Sequence, residues 1–172
     1  MQIISYLKPA LTALFILGLS GCTVMTDIKP GTPLAEVEKQ FGKPTTTCQL
    51  SGGGQRMVWS QQPSGQYAWA TDVDAAGRVG SVDQILDDRE FNKLSEGVWT
   101  PERVRCQFGP PENISKVGLE NDVKVVWSYR YRQQNTWYML MYVFFDADGK
   151  KVIQHYPGPD PWYLGNDGSN RR

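Results

Sequence analysis

Few side chains in this 172-residue sequence could do chemistry, and none of them forms a recognisable catalytic group. The single histidine, His155, excludes multi-histidine metal sites and leaves little for histidine-based nucleophilic catalysis. Aspartates occur in close pairs, but these pairs lie at predicted turns or in charged stretches, where Asp is common. The segment Asp146–Gly149 has half of a calcium loop without the remaining ligands. We therefore expect neither an enzyme nor a metal site from the pairs Asp72/Asp74, Asp87/Asp88 and Asp146/Asp148.

Residues 1–21 are predicted to be a signal peptide that ends at a lipid-attachment cysteine. Their one charge, Lys8, precedes the apolar run Ala10–Leu19, which is shorter than the roughly 20 residues that cross a bilayer. The segment Leu19–Cys22 (Leu-Ser-Gly-Cys) resembles the lipobox of bacterial lipoproteins. The resemblance implies that Cys22 becomes the N-terminus and carries acyl chains such as palmitate, with 22–27 as a lipidated linker. Thr23 replaces the Asp that retains enteric lipoproteins in the inner membrane, which favours the periplasm-facing outer membrane.

The other two cysteines, Cys48 and Cys106, leave two alternatives open. An even pair in the oxidising periplasm favours a disulfide, which would tie two parts of the chain together. Free cysteines are also among the most buried residues, so two separate buried thiols are the other interpretation. Beyond the lipid at Cys22, no cofactor is expected.

An internal repeat organises the chain after residue 27. Val37–Pro44 and Val104–Pro111 share five of eight residues at an offset of 67. The tripeptide Val-Trp-Ser at 58–60 recurs at 126–128, and Asp74–Gly77 recurs in altered form at 146–149. Three matches in the same order indicate a tandem duplication. We expect repeat 1 over 28–96, repeat 2 over 97–157 and a disordered, Pro-rich tail over 158–172.

Each copy has the same local signals, which predict an α+β fold. Thr-Pro at 32–33 and at 100–101 is typical of a helix start, with Thr32 or Thr100 as the N-cap and the proline in the first turn. Gly-x-Pro or Gly-Pro after each helix is typical of its end. A short helical turn is predicted before each helix, and alternation such as that in Val123–Arg132 predicts strands. Each copy is therefore predicted to be a helix pair followed by an antiparallel sheet of three or four strands. A unit of this size buries a marginal core alone, so we expect both copies to pack as one unit.

The motifs of the first copy resemble the SmpA/OmlA family of outer-membrane lipoproteins, also named for BamE. The resemblance rests on Gly31–Val37, Phe41–Pro44, Val58-Trp59 and the Asp74–Gly77 turn, and it extends more loosely to 97–156. It implies a fold of this kind and a partner in the barrel-assembly machinery. Two tandem copies are also similar to inhibitors of the β-lactamase-inhibitory-protein type, and in the second copy Val98 and Arg103 depart from the family pattern.

Aromatic residues are the strongest functional clue in the sequence. Eleven of the twenty Phe, Trp and Tyr residues lie between Val123 and Tyr163. Tyr and Trp beside Arg are typical of protein-interface hot spots, whereas strands that are apolar on both faces are typical of a buried core. Both interpretations stay open at this point. The candidate partner surface consists of Tyr129, Arg130, Tyr131, Arg132, Tyr138, Tyr142 and Trp162.

The functional expectation is a lipoprotein that binds another protein. Eighteen basic and eighteen acidic residues give no net charge, which argues against nucleic-acid binding, and no small-molecule substrate is indicated. The leading hypothesis is a non-enzymatic outer-membrane lipoprotein, attached to the membrane through acyl chains, that acts as an envelope adaptor or outer-membrane protein assembly factor. The alternative is a periplasmic protein inhibitor of an enzyme.

Overall fold

The fold of the chain is α+β, with two four-stranded antiparallel sheets. The computed structural model describes residues 24–119 and 122–164. The predicted signal peptide and Cys22, the predicted acylation site, lie outside these residues. Within the described part, no helix has the length and apolar character needed to cross a membrane.

The first half of the described chain builds sheet 1. A 3-10 turn at Met25–Asp27 and helix α1 (Leu34–Phe41) precede its strands. The sheet has the strand order β1-β2-β3-β4, with consecutive strands paired antiparallel. These strands are β1 (Thr46–Gln49), β2 (Gln55–Ser60), β3 (Ala68–Val73) and β4 (Asp83–Gln84).

The second half builds sheet 2 in the same order. Helix α2 (Asp88–Asn92) continues into a 3-10 turn at Lys93–Ser95 and is followed by α3 (Pro101–Phe108). Sheet 2 has the order β5-β6-β7-β8, and α4 (Pro161–Leu164) follows it. Its strands are β5 (Asn113–Val117), β6 (Lys124–Gln133), β7 (Trp137–Phe145) and β8 (Val152–Pro159).

The two principal helices start differently although their sequences match. The Thr100 side chain accepts a hydrogen bond from the Arg103 N–H at 3.3 Å, so Thr100 caps α3 as predicted. The prediction that Thr32 caps α1 is wrong, because its hydroxyl donates to the Lys29 carbonyl and Pro33 is the N-cap. Thr32 and Pro33 are held in extended backbone by pairing with the turn that follows β3, which moves the helix start by one residue.

Strand β5 was not predicted from the sequence. The prediction of a disordered tail is wrong for residues 158–164, which belong to the end of β8, Asp160 and α4. Strand β8 continues through Pro159, with Gly158 opposite Leu140 on β7. Proline is tolerated there because β8 is an edge strand, whose outer side needs no N–H donor. The predicted linker 22–27 is also wrong in part, since Met25 is buried in the core. Residues 165–172 lie outside the described part of the chain.

Two hydrophobic clusters define four layers. In the smaller cluster, α1 packs on one face of sheet 1 through Val37, Trp59 and Met25. The larger cluster joins the other face of sheet 1, helices α2 and α3, and one face of sheet 2. The order of layers is therefore α1, sheet 1, α2 with α3, and sheet 2, and the second face of sheet 2 is the end of the stack.

Candidate partner-binding surface

The alternation of side chains along β6 divides the predicted surface residues between two environments. Tyr129 and Tyr131 point into the larger cluster and are both fully buried, so their predicted place on a partner surface is wrong. Their rings pack against Phe91, and their hydroxyls donate to the Gly109 carbonyl at 3.1 Å and to Asp88 Oδ1 at 2.9 Å. Burial raises the pKa of both phenols, which keeps them protonated donors.

Arg130 points to the opposite face of sheet 2, but it too is buried and is not available to a partner. Its Nε donates to Asp160 Oδ2 at 2.5 Å, and Nη1 donates to the Pro63 carbonyl at 2.7 Å. Glu112 lies 3.6 Å from Nη2, and the guanidinium stacks 4.7 Å from the Trp162 ring centroid. The burial of this charge depends on these partners, so Arg130 is an internal clasp between the two halves and the residues after β8.

A side-chain amide completes the free edge of β6 beside this clasp. Strand β5 begins pairing with β6 at Asn113, opposite Ser128, so the next backbone groups of β6 have no strand partner on that side. Gln62 takes their place: its Nε2 donates to the Arg130 carbonyl at 2.7 Å, and its Oε1 accepts from the Arg130 N–H at 3.2 Å. Buried backbone groups are thus satisfied by a residue of the other half.

The remaining predicted residues lie on an accessible surface, the outer aromatic face. Tyr138 and Trp162 are 41% and 62% exposed, and Tyr142 and Arg132 are half-buried. The structure adds residues that the predicted set lacked. Phe144 follows the same alternation on β7, but Tyr156 and Tyr163 are placed only by the pairing of β8 and by α4. The face comprises Arg132, Tyr138, Tyr142, Phe144, Tyr156, Trp162 and Tyr163.

The rings of the outer aromatic face pack on one another along the sheet. Tyr138 stacks on Tyr163 at 3.9 Å between centroids, and Phe144 stacks on Tyr156 at 5.1 Å. Arg132 lies 4.4 Å above the ring of Tyr138. Such contacts hold large side chains in place before a partner arrives, which lowers the entropic cost of binding. The pKa of Tyr142 is raised, mainly by burial and then by the charge of Asp160, so its hydroxyl stays protonated at neutral pH.

Cys48 on β1 and Cys106 on α3 form a disulfide with 5.8 Å between their Cα atoms. Of the two alternatives for this pair, the structure contains the bridge. It joins sheet 1 to the helix that packs on it, so the two halves are linked covalently as well as through the shared cluster.

A cavity of about 600 Å³ lies where sheet 1 meets α2, and its charged groups pair with each other. Arg56 lies 3.0 Å from Asp72, and Lys93 lies 2.6 Å from Glu90, which also accepts a hydrogen bond from Gln107. His155 is far along the chain on β8, half-buried, and burial lowers its pKa. Across residues 24–119 and 122–164, no three His, Cys, Asp or Glu side chains form a group that could hold a metal ion.

No protein-family model matches the chain, and no curated protein or solved structure shows a significant match. Residues 24–119 and 122–164 thus form a two-sheet α+β fold in which one sheet face carries exposed aromatic side chains.

Proposed function

We propose that this protein is a non-enzymatic outer-membrane lipoprotein, an envelope adaptor or assembly factor that binds a protein partner through the outer aromatic face. The observation that carries the proposal is the exposure of large aromatic side chains on the last sheet face of the layer stack. Tyr and Trp in such patches contribute much of the binding energy at protein interfaces. A surface of this kind is unusual for a protein without partners.

The position of the N-terminus supports a partner in the periplasm. Met25 is buried beside α1, and only three residue steps separate it from the proposed acyl anchor at Cys22. Those steps reach about 10 Å at most. The α1 layer therefore lies close to the bilayer, and the outer aromatic face lies at the other end of a stack about 30 Å thick. It faces the periplasm, where proteins, and not lipid headgroups, are the available partners.

The two halves are proposed to be diverged copies of one BamE-like unit. In each, a helix with a buried valine (Val37 or Val104) packs on the sheet face that carries the matching tryptophan, Trp59 or Trp127. Together with the Leu-Ser-Gly-Cys segment, this supports the resemblance to SmpA/OmlA lipoproteins. By that resemblance, the proposed partner is a subunit of the barrel-assembly machinery.

The lipid anchor is tested by metabolic labelling with a fatty-acid analogue. We expect wild-type protein to be labelled and to fractionate with the outer membrane. The Cys22→Ala variant should be unlabelled, because the acylated thiol is gone. Normal labelling of that variant would show that another residue carries the lipid.

The adaptor function is tested by affinity purification of the wild-type lipoprotein from detergent-solubilised outer membranes. We expect specific co-purification of an envelope protein, with barrel-assembly subunits as the leading candidates. Recovery of only a soluble hydrolase would instead support the inhibitor alternative. Recovery of no specific protein at low stringency would contradict both.

A further inference from the structure

A polar cavity of about 370 Å³, the seam cavity, lies where the two halves of the chain meet. Its walls come from the loop before β3, from β4, from the start of α2 and from the hairpin that joins β6 to β7. These segments contribute Tyr67, Gln84, Asp88 and Arg132 among the lining side chains. The volume lies at the lower end of the roughly 300–1,000 Å³ that small-molecule sites enclose. The seam cavity can therefore hold one small ligand.

The walls of the seam cavity are held by contacts within the protein. Asp88 Oδ1 accepts a hydrogen bond from the Tyr131 hydroxyl at 2.9 Å, which fixes the start of α2 on β6. The Tyr67 hydroxyl donates to Asn135 Oδ1 at 3.4 Å, and the Tyr67 ring stacks on Trp69 of β3. Sheet 1, α2 and the β6–β7 hairpin are thus joined around the cavity. A ligand would enter a site that is already formed, which lowers the entropic cost of binding.

Two buried polar atoms of the lining side chains have no hydrogen-bond partner among the described residues. One is an acceptor, Gln84 Oε1, whose amide Nε2 donates to the Leu86 carbonyl at 3.0 Å. The other is a donor, Arg132 Nε, whose Nη2 donates to the Asn135 carbonyl at 3.1 Å. Buried polar atoms in proteins are nearly always paired. A ligand that pairs both must donate to one and accept from the other, directly or through a bridging water.

The lining side chains also define the charge and polarity of the ligand. Two carboxylates, Asp87 and Asp88, are balanced by two guanidinium groups, Arg89 and Arg132, so the lining favours neither an anion nor a cation. The other lining groups are side-chain amides and the phenol of Tyr67, and none of the lining residues is aliphatic. Small-molecule sites are usually lined by apolar side chains with only a few polar groups. This lining instead fits an uncharged ligand that is polar over most of its surface.

We propose that the seam cavity binds a neutral saccharide of one or two sugar units. Each sugar hydroxyl both donates and accepts, so neighbouring hydroxyls pair the acceptor of Gln84 and the donor of Arg132. The carboxylates of the lining accept from further hydroxyls, and the C–H face of a sugar ring packs on the Tyr67 ring. Except for Arg132, this site shares no residue with the outer aromatic face. The inference therefore goes beyond the proposed protein binding and does not depend on it.

The experiment is isothermal titration calorimetry of the full-length lipoprotein in a detergent without a sugar headgroup. The probes are three disaccharides: cellobiose, maltose and N,N′-diacetylchitobiose. Triglycine and sulfate represent the two other ligand classes, peptides and anions. We expect at least one disaccharide to bind at least tenfold more tightly than triglycine and sulfate. A preference for diacetylchitobiose would assign the site to acetamido sugars, and a preference for cellobiose or maltose to unmodified hexoses.

Three results of this titration would overturn the saccharide site. Triglycine that binds as tightly as the disaccharides would assign the cavity to a peptide. Sulfate that does so would assign it to an anion. Binding of none of the three disaccharides would show that the unpaired atoms of the lining are satisfied by water alone.

A pair of matched variants locates the binding. Gln84→Leu removes the unpaired acceptor of the seam cavity. Gln66→Leu is the control, because Gln66 is also buried with an unpaired amide atom but does not line the cavity. We expect Gln84→Leu to weaken disaccharide binding at least tenfold without lowering the urea midpoint, and Gln66→Leu to leave binding unchanged.

The outcomes of the variants separate the saccharide site from the adaptor function. Equal weakening in both variants, or no weakening in Gln84→Leu, would overturn the seam cavity as the site. Recovery of the protein partner from outer membranes should be the same for wild type and Gln84→Leu. Loss of the partner in wild type would contradict the adaptor function and leave the disaccharide titration unaffected.

Discussion

The two sheets of this protein have the same strand order but different surroundings. Among the described residues, sheet 1 is covered on both faces, by α1 and by α2 with α3, whereas a helical layer covers sheet 2 on only one face. The small residues Ala68 and Ala70, opposite Ser60 and Val58 of β2, allow helices to approach sheet 1. Opposite the matching Ser128 and Val126 of β6, sheet 2 has Tyr142 and Phe144. The comparison teaches that residue size at matched positions follows the layer that packs there. In the described part of the chain, large aromatic side chains lie on the sheet face that no such helical layer covers.

The largest expected difference between the halves concerns their matched phenylalanines. Phe108 is fully buried in the larger cluster, whereas Phe41 only borders the smaller one. We expect Phe108→Ala to lower the free energy of unfolding by about 3–5 kcal/mol, because it leaves a cavity among packed rings. Phe41→Ala should cost clearly less. Urea unfolding of both variants measures the difference, and equal losses would mean that the two cores are equivalent.

One ion pair on each sheet should show almost as large a difference. Asp160→Ala leaves Arg130 buried without its main partner, which costs about 3–5 kcal/mol in known cases. We expect the lower end of that range, since Glu112 and the Pro63 carbonyl remain. Asp72→Ala on sheet 1 removes a pair in which the carboxylate is 56% exposed, and should cost less than about 1 kcal/mol. Thermal unfolding compares the two variants, and a cost for Asp160→Ala no larger than that for Asp72→Ala would contradict the clasp.

The disulfide tests how strongly the halves depend on each other. Cys48 and Cys106 are 58 residues apart in sequence, so the bridge restricts a long loop of the unfolded chain. Replacing both by alanine should lower the free energy of unfolding by about 2–4 kcal/mol. Reducing agent should destabilise the wild type by the same amount and leave the double variant unchanged. Two thiols that react with an alkylating reagent before reduction would show that the bridge is absent.

The matched glycines after the two helices give a smaller contrast. Gly42 and Gly109 both have a φ of 79°, where an L side chain is strained. A Cβ at Gly42 meets nothing within 4 Å, so Gly42→Ala should cost about 1 kcal/mol from backbone strain alone. Gly109→Ala should cost about 1 kcal/mol more, because its Cβ would press on Val58. Urea midpoints of the two variants measure this difference, and identical values would argue against close packing of α3 on sheet 1.

The smallest effect is a pH dependence confined to sheet 2. His155 on β8 lies opposite Val143 of β7, and burial lowers its pKa below the usual 6.5. The unfolded chain therefore binds a proton at His155 more strongly than the folded protein does. The contribution of neutral His155 to stability is present above pH 6.5 and is lost as the pH falls towards the pKa of the folded protein. The melting temperature should decrease between pH 7.5 and 5 more in the wild type than in His155→Gln. An equal decrease in both would assign the dependence to carboxylates.

Much of the fold could be predicted because its signals are local. Helix α3 begins at its Thr-Pro signal and ends at its Gly signal, and β6 and β7 follow their alternating patterns. Strand β5 was missed because Asn113–Val117 is short and mostly exposed. The residues after Pro157 were predicted to be disordered from composition, but an edge strand accepts Pro, and the Arg130–Asp160 pair holds the segment in place.

For the candidate surface, the sequence pointed to the aromatic-rich region between Val123 and Tyr163. It did not show which side chains in that region are exposed. Strand β7 is apolar on both faces, so its alternation alone does not say which face is buried. Tyr129, Arg130 and Tyr131 were predicted on the surface by residue type, yet all three are buried. Their environments depend on Phe91, Gln62 and Asp160, which are distant in the chain.

The sequence by itself determined the ends of α3, the turns, the motifs that recur in both halves and the concentration of aromatic residues in the second half. These features depend on neighbouring residues and on periodicity, which a single chain displays directly. Only the tertiary structure decided which sheet face is closed by a helical layer and which stays open. That choice depends on packing between segments about 70 residues apart, as between Gln62 and Arg130, and no local pattern encodes it.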